Sequence, residues 1–323
     1  MNMALRRAAT AALLICVAPA ALAQAFPSKP VRVIVPFAPG SVLDVVSRLV
    51  APHMGSALGQ PVVVENRPGA GGRLGAEQVA RMPGDGHALL FTSSGSHVGG
   101  AFLVKNLPYD ARKDFTPVTA AVSPVDTLIV HPTLPVNSIP ELLEYARRNP
   151  GKLTYGSNGI GSTFHMVGEL IKQVAGIDML HVPFQGAPQQ TNAIITGQIQ
   201  VAFNSLGVAR AQAAAGKVKL LAVLREERYA GMPQIPTLKE GLPAYQPLPN
   251  WFGYFGPGGV PSAIVQRLSA EIVKGLNAPD SAAKINEAGL VLIGNTPEQF
   301  ATLLRTSFEA FGKAVKAANL QPQ

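Results

Sequence analysis

Three loops carry the residue types that can hold an anion without a charged side chain: Pro39-Gly-Ser41, Thr92 to Ser96, and Gly156-Ser-Asn-Gly-Ile-Gly-Ser-Thr163. A fourth, Phe184-Gln-Gly-Ala-Pro188, follows the apolar run at Val182. A helix N-terminus presents free N–H groups and a partial positive charge. Glycine lets the backbone approach a ligand, and hydroxyls add donors. Together they make a receptor for a carboxylate or a phosphate. One such loop alone is an ordinary turn with a helix cap. Recurrence at the same end of successive strands is what points to a ligand.

Other chemistries fit poorly. No serine sits in G-x-S-x-G, so the nucleophile-elbow signature is absent. Gly69-Ala-Gly-Gly-Arg-Leu-Gly75 departs from the dinucleotide pattern G-x-G-x-x-G at Leu74, and there is no Walker loop. His53, His87, His97, His131, His165 and His181 are the only histidines, and no two stand at i, i+4 as a helical zinc site requires. No metal and no cofactor is expected. Ser162 with His165 is the one nucleophile–base candidate, and both fall within one helical turn. Asp44, three residues past Ser41, reads as a brace or cap for its loop.

Strands and helices alternate around these loops. Val31–Val35, Val62–Val64 and Ala88–Phe91 read as strands, with helices over 44–58 and 73–81 between and after them. Phe115 to His131 holds two β-like runs broken by Pro117 and Pro124. Ser138, with Pro140 and Glu141, reads as a capping box opening a helix that stops at Asn149-Pro-Gly151. A second series follows: strands at 153–155, 180–182 and 199–203, helices over 162–175, 188–196 and 208–215, and a strand over 217–224. Trp251 to Phe255 reads as a strand with Trp251 and Gly253 on one face, a core element or a cleft wall. Helical stretches near 262–276 and 297–318 close the chain. Such alternation gives parallel sheets with helices on both faces. The economical architecture is two α/β domains with a cleft between them, the second inserted in the first. One continuous doubly wound domain is the alternative.

Residues 1–23 combine Arg6 and Arg7, an apolar run over 8–22 and the A-x-A site Ala21-Leu22-Ala23. That is a cleavable secretory signal, so the mature protein is expected in a bacterial periplasm. Cys16, the only cysteine, lies inside it and follows Ile15, which does not suit a lipoprotein site. Removing Arg6 and Arg7 lowers the formal charge from +8 to +6. The basic residues are scattered, which disfavours nucleic acid and leaves a mild field for anionic solutes.

The motifs together resemble the solute-binding receptors of tripartite tricarboxylate transporters, the Bug-type receptors. The matching segments are Pro30 to Gly40 with Asp44 and Arg48, Val64-Glu-Asn-Arg-Pro-Gly-Ala-Gly-Gly72, Leu107-Pro-Tyr-Asp110, and Asn149 to Ser157. Further on are Gly161-Ser162 with His165, His181-Val-Pro-Phe184 with Gly186, Pro236-Thr237 with Glu240-Gly-Leu-Pro243, and Trp251-Phe-Gly253. The resemblance covers about 27–265 in the family's order. It implies a two-lobed periplasmic-binding-protein fold, type II-like, with two doubly wound lobes joined by a two-strand hinge and a ligand cleft between them. Lobe 1 would be 24–125 with 225–323, and lobe 2 would be 126–224. It implies a non-enzymatic, monomeric receptor that hands a small organic acid to membrane permease subunits; a sensor presenting the ligand to a signalling partner is the alternative. On matching positions, Pro39, Gly40, Ser41 and Asp44 form the first-lobe site, joined by Ser94 and His97. Ser157, Asn158, Gly161, Ser162, Thr163 and His165 form the second-lobe site, with Gln185, Gly186 and Asn204. Ser41 stands where a second Gly is usual, and Gly99-Gly-Ala101 replaces Ile-Asn-Pro. Asn192 and Gln200 stand where Asp is common, which leans the ligand toward a plain carboxylate over an amino acid.

Overall fold

The computed structural model describes residues 26–160, 162–184, 186–317 and 319–322. The signal segment 1–23, Gly161 and Gln185 lie outside the described residues. The chain opens with β1 (Val31–Val35), α1 (Val42–Leu58), β2 (Val62–Asn66), α2 (Arg73–Ala80), β3 (Ala88–Ser93), α3 (Gly100–Leu103) and β4 (Phe115–Pro124). It continues with β5 (Asp126–Val130), α4 (Ile139–Arg148), β6 (Leu153–Ser157), α5 (Thr163–Ala175), β7 (Met179–Pro183), α6 (Ala187–Ile195), β8 (Val201–Ser205), α7 (Leu206–Ala214), β9 (Lys219–Val223) and α8 (Leu238–Gly241). It ends with β10 (Phe252–Pro257), α9 (Ser262–Asn277), α10 (Pro279–Glu287), β11 (Leu290–Leu292) and α11 (Pro297–Ala317).

The strands form two sheets, ordered β11-β4-β10-β3-β1-β2 and β7-β6-β8-β5-β9. In the first, β1 runs parallel to β2 and β3, and β10 lies antiparallel between β3 and β4. In the second, β6 runs parallel to β7 and β8, and β5 lies antiparallel between β8 and β9. Each sheet thus holds a parallel three-strand unit flanked by one strand that has just crossed from the other sheet, β10 in the first and β5 in the second; β4 and β11 complete the first sheet and β9 the second. The first crossing is a single residue, Val125, between Pro124 and Asp126. The second is long. Thr237 pairs with Val223, α8 packs on α4 and β9, and a side chain at Gly241 would meet Ile139. The chain therefore stays with the second sheet past the expected return at 224/225, because Leu238, Leu242, Tyr245 and Leu248 are buried in its core.

Alternation along the strands decides the faces. Val31, Val33 and Val35 of β1 pack with Leu89 and Phe91 against Val46, Val50 and Met54 of α1 and Leu268, Ile272 and Leu276 of α9. Ile34 and Leu90 point the other way, toward Val79 of α2 and Phe300, Phe308 and Phe311 of α11. That second cluster continues without a break into the other sheet through Phe164, Val167, Tyr155 and Phe203. Pro117 is tolerated within β4 because the ladder to β10 shifts register there and β11 reaches only Val122–Pro124. The sequence reading misses α10 and β11. They lie between the helical stretches expected near 262–276 and 297–318, and Pro279 takes the first helical position of α10, where a missing N–H costs nothing. The expected capping box at Ser138 is half formed. Its hydroxyl accepts from Glu141 N–H at 3.3 Å, but Glu141 Oε2 accepts from Asn137 N–H at 2.7 Å. The reciprocal box occurs at Thr237 and Glu240.

Candidate functional site

The loop after β1 is closed by one carboxylate. Ser41 caps α1, its Oγ accepting from Asp44 N–H at 3.3 Å. Asp44 Oδ2 accepts from Gly40 N–H at 2.9 Å, and Oδ1 accepts from Arg48 Nε and Asn66 Nδ2, each at 2.9 Å. Asn66 Nδ2 also donates to Phe37 O, and Arg48 Nη2 donates to Asn66 Oδ1. Burial alone would push the Asp44 carboxyl up, but the bonds from Arg48, Gly40 and Asn66 together hold it below the usual carboxylate range. Both of its oxygens are spent inside the lobe, so Asp44 shapes the loop and Gly40 N–H serves Asp44. Gly40 adopts φ +78°, which a side chain would strain. The first-turn N–H groups of Val42 and Leu43 keep no intrahelical partner, and the Ser41 hydroxyl retains its own hydrogen to donate.

The loop after β6 repeats the device. Ser162 caps α5, its Oγ accepting from the His165 backbone N–H at 3.3 Å. The serine is therefore not aimed at the His165 ring. Beside this loop, Ser157 Oγ instead pairs with His181 Nε2, at 2.7 Å. Ser157 is fully buried and also bonds Gly159 through its N–H and C=O. The His165 and His181 rings stack at 4.0 Å and 9°, and Tyr155 stacks with His181 at 4.9 Å and 23°. Tyr155 OH donates to Glu169 Oε1 at 2.6 Å, and Glu169 pairs with Lys172. Burial pushes the His181 imidazole down to about 4, reinforced by its neighbour His165. Burial lowers His165 as well, so both imidazoles favour the neutral form, and the stack meets the loop through Ser157. Asn158 Oδ1 and Gln190 Oε1 are buried acceptors without a partner among the described residues.

The remaining expected residues divide. Thr163 lies at the lobe–lobe contact, close to Gly95. Pro39 and Gly186 lie in their loops, Gly186 opening α6 with φ +148°. Ser94 is fully buried and tied to the second crossing: its N–H donates to Trp251 O at 2.9 Å. Asn204 is buried and donates to Thr191 Oγ1 at 3.0 Å. His97 is a correction. Its ring is 1 % exposed, stacks on Phe255 at 4.3 Å and bonds Ala111 O at 2.9 Å, so it belongs to the core. A Cβ at Gly99 would meet Met166 Cε and Phe311 Cε1, each at 3.3 Å, so this position faces side-chain packing. Asn192 is exposed on α6, and Gln200 Oε1 accepts from Thr154 N–H and Oγ1 near the start of β6. Neither bears on the choice between a plain and an amino acid. Trp251 resolves as core, 1 % exposed, with Nε1 donating to Ser307 Oγ at 3.0 Å.

Sequence reasoning missed Asn66, His181, Asp126 and Asn250. Asn66 pairs in register with Val35, which delivers its side chain beside the loop that follows β1. Asn250, at the end of the second crossing, donates to Asp126 Oδ2 at 2.5 Å, and its C=O accepts from Ser123 Oγ at 2.8 Å. This ties the two crossings together. Burial pushes the Asp126 carboxyl up to about 7, against the bond from Asn250. Surface hollows of about 670 Å³ beside Arg210 and Tyr229 and about 440 Å³ beside Arg48 and Val62 contain none of the expected site residues. Among the described residues, no group of three His, Cys, Asp or Glu could hold a metal.

Residues 46–320 match the family model of the tripartite tricarboxylate transporter family receptor. The chain is 36% identical over 294 residues to the UPF0065 protein in the tcbD-tcbE intergenic region of Pseudomonas sp. (strain P51), covering 90% of this chain and 87% of that one. Two solved structures align over nearly all of their length. The R. palustris protein Rpa4515 with adipate is 30% identical with TM-score 0.82, covering 92% of this chain and 100% of that one. MatC from Rhodopseudomonas palustris with bound malate is 31% identical with TM-score 0.77, covering 90% and 100%. These likenesses bear out the two-lobed periplasmic-binding-protein fold expected from the motifs. With the family model matching most of its length and the two capped loops in place, the chain belongs to the tripartite tricarboxylate transporter receptor family.

Proposed function

We propose that this chain captures a small organic carboxylate between its two sheets and delivers it to the membrane permease of a tripartite transporter. The observation that carries the reading is the pair of helix N-termini capped by Ser41 and Ser162, one from each sheet. Each offers first-turn N–H groups and a hydroxyl hydrogen, which suits an anion. The only acid in the first loop, Asp44, has its charge offset by Arg48 and its oxygens engaged by Asn66 and Gly40, which weakens its repulsion of an anion. Adipate and malate, held by two similar proteins, are both dicarboxylates, so a diacid with one carboxylate at each helix end is the favoured class. The site residues under this reading are Ser41, Asn158, Ser162 and Thr163 as ligand contacts, with Asp44, Ser157, His165 and His181 shaping the loops.

The receptor reads as a monomer exported to the periplasm after loss of residues 1–23, acting by binding and release without bond chemistry. Thermal melting of residues 24–323 against mono-, di- and tricarboxylates, amino acids and aromatic acids tests it. A ligand at 100 times its Kd should stabilise by about 2.7 kcal/mol. A dose-dependent rise for diacids, unchanged by a chelator, is the expected result. A rise for none of the acids, with no acid released on denaturation, would overturn the reading.

A further inference from the structure

Gly95 opens the turn that follows β3, and its φ is not in the left-handed region, unlike Gly40, Gly159 and Gly186. Its own backbone therefore does not require glycine. Space does. A Cβ built on Gly95 would lie 2.4 Å from Thr163 Oγ1, 3.7 Å from Thr163 Cβ and 3.9 Å from Thr163 N. These are the three nearest atoms, and all belong to the first residue of α5, in the other lobe. Outside Gly95's own turn no atom of lobe 1 comes closer than these, so the opposing lobe is what refuses a side chain here. We infer that Gly95 is a positioning residue for lobe closure, the point at which the absence of a side chain lets the loop after β3 seat on the anion-facing turn of α5.

The inference rests on the ligand reading above for its consequence, since closure is what would enclose the acid. A methyl group at 95 cannot share the space with Thr163 Oγ1. Thr163 carries heavy atoms at two of the three staggered positions on Cβ, so only one rotation turns its hydrogen toward the added carbon. That rotation moves its hydroxyl away from the lobe contact. Otherwise the lobes stay apart. Either response disturbs the second-lobe half of the site while leaving each lobe's own packing intact.

The experiment compares wild type, Gly95→Ala, Thr163→Ala and the double variant. Three readouts are taken: melting without ligand, affinity for the diacid that shifts wild type most, and small-angle scattering with and without that acid. Gly95→Ala should melt within about 2 °C of wild type and bind about tenfold more weakly, as a methyl overpacked at a contact does. Its scattering should report a more open particle. Thr163→Ala removes the opposing oxygen, so in that background the Gly95→Ala step should cost no further affinity and no further opening. Equal losses in both backgrounds, or wild-type binding and scattering by Gly95→Ala, would overturn the inference. If no acid binds wild type, the ligand reading fails by itself. The scattering comparison of the unliganded proteins then decides: opening by Gly95→Ala that Thr163→Ala abolishes supports the contact, and identical profiles reject it.

Discussion

Replacing Asp44 by Asn is the sharpest test of how the first loop is built. The two side chains have the same shape, but the carboxylate accepts on both oxygens, from Gly40 N–H on one and from Arg48 and Asn66 on the other. An amide has one acceptor and one donor group. Whichever way it turns, an NH2 faces either the Gly40 N–H or the Arg48–Asn66 pair, so at least one donor loses its acceptor, although Gly40 and Arg48 are exposed and water replaces part of what is lost. Leaving a buried donor unsatisfied costs about 1–3 kcal/mol, and a hydrogen bond to a charged group contributes about 1.5–3 kcal/mol. With water reaching Gly40 and Arg48, Asp44→Asn should lose about 1–2 kcal/mol by urea denaturation at pH 7. Asp44→Ala, which frees all three donors, should lose at least as much. Acid supplies the internal control. Because the folded carboxyl lies below its ordinary range, its contribution is present above the unfolded pKa and is lost as the pH falls through the folded one. The gap between wild type and Asp44→Asn should close in strong acid. A variant as stable as wild type at pH 7 would refute the claim that both oxygens are engaged.

Burial holds His97 and His181 near 4 in the folded chain, and His165 is also lowered, while an unfolded histidine takes its proton near 6.5. The unfolded state then binds more protons between those values, so these groups make stability fall as the pH drops from about 6.5 toward 4. Asp126, raised to about 7, works in the opposite direction over the same window; His181→Phe, which keeps the ring stack, should therefore flatten the acid-side fall in melting temperature relative to wild type, and an unchanged slope would show that His181 is not held neutral. Gly168→Ala would place a Cβ 2.2 Å from Tyr155 Cε2, pressing the ring that stacks under His181. It should cost about 1–3 kcal/mol by denaturant melting, with weaker binding of whichever acid stabilises wild type; a neutral result would mean that the ring stack can shift freely.

Much of the architecture was legible in the sequence because it rests on local signals. β-branched runs such as Val31–Val35, Ser or Thr placed three residues before a helix's first acid or His, and glycine where the chain turns are each read within a few residues. So were the loops that follow β1 and β6, since Ser41 and Ser162 act on N–H groups only three residues away. His97 was misread for the same reason. Nothing near it in sequence reveals that Phe255 and Ala111 close over the ring. Asp44 was correctly placed as a brace, yet its partner Asn66 is 22 residues on and is delivered by the parallel register of β1 and β2.

The chain by itself determined most of its element types, the anion-suited chemistry of the loop ends and the family whose motifs it carries. Those follow from side-chain volume, hydrogen-bonding capacity and backbone freedom, which are properties of a residue and its near neighbours. Only the tertiary structure decided which of those groups are still free. It spent Asp44 on its own loop and buried Ser157 against His181. It also tied Asp126 to Asn250 across the crossings and brought Gly95 to Thr163 from separate sheets. Each of these is a contact between residues 4 to 124 positions apart, or an exclusion of volume across the lobes. Whether a polar group meets a ligand depends on whether the fold has already given it a partner.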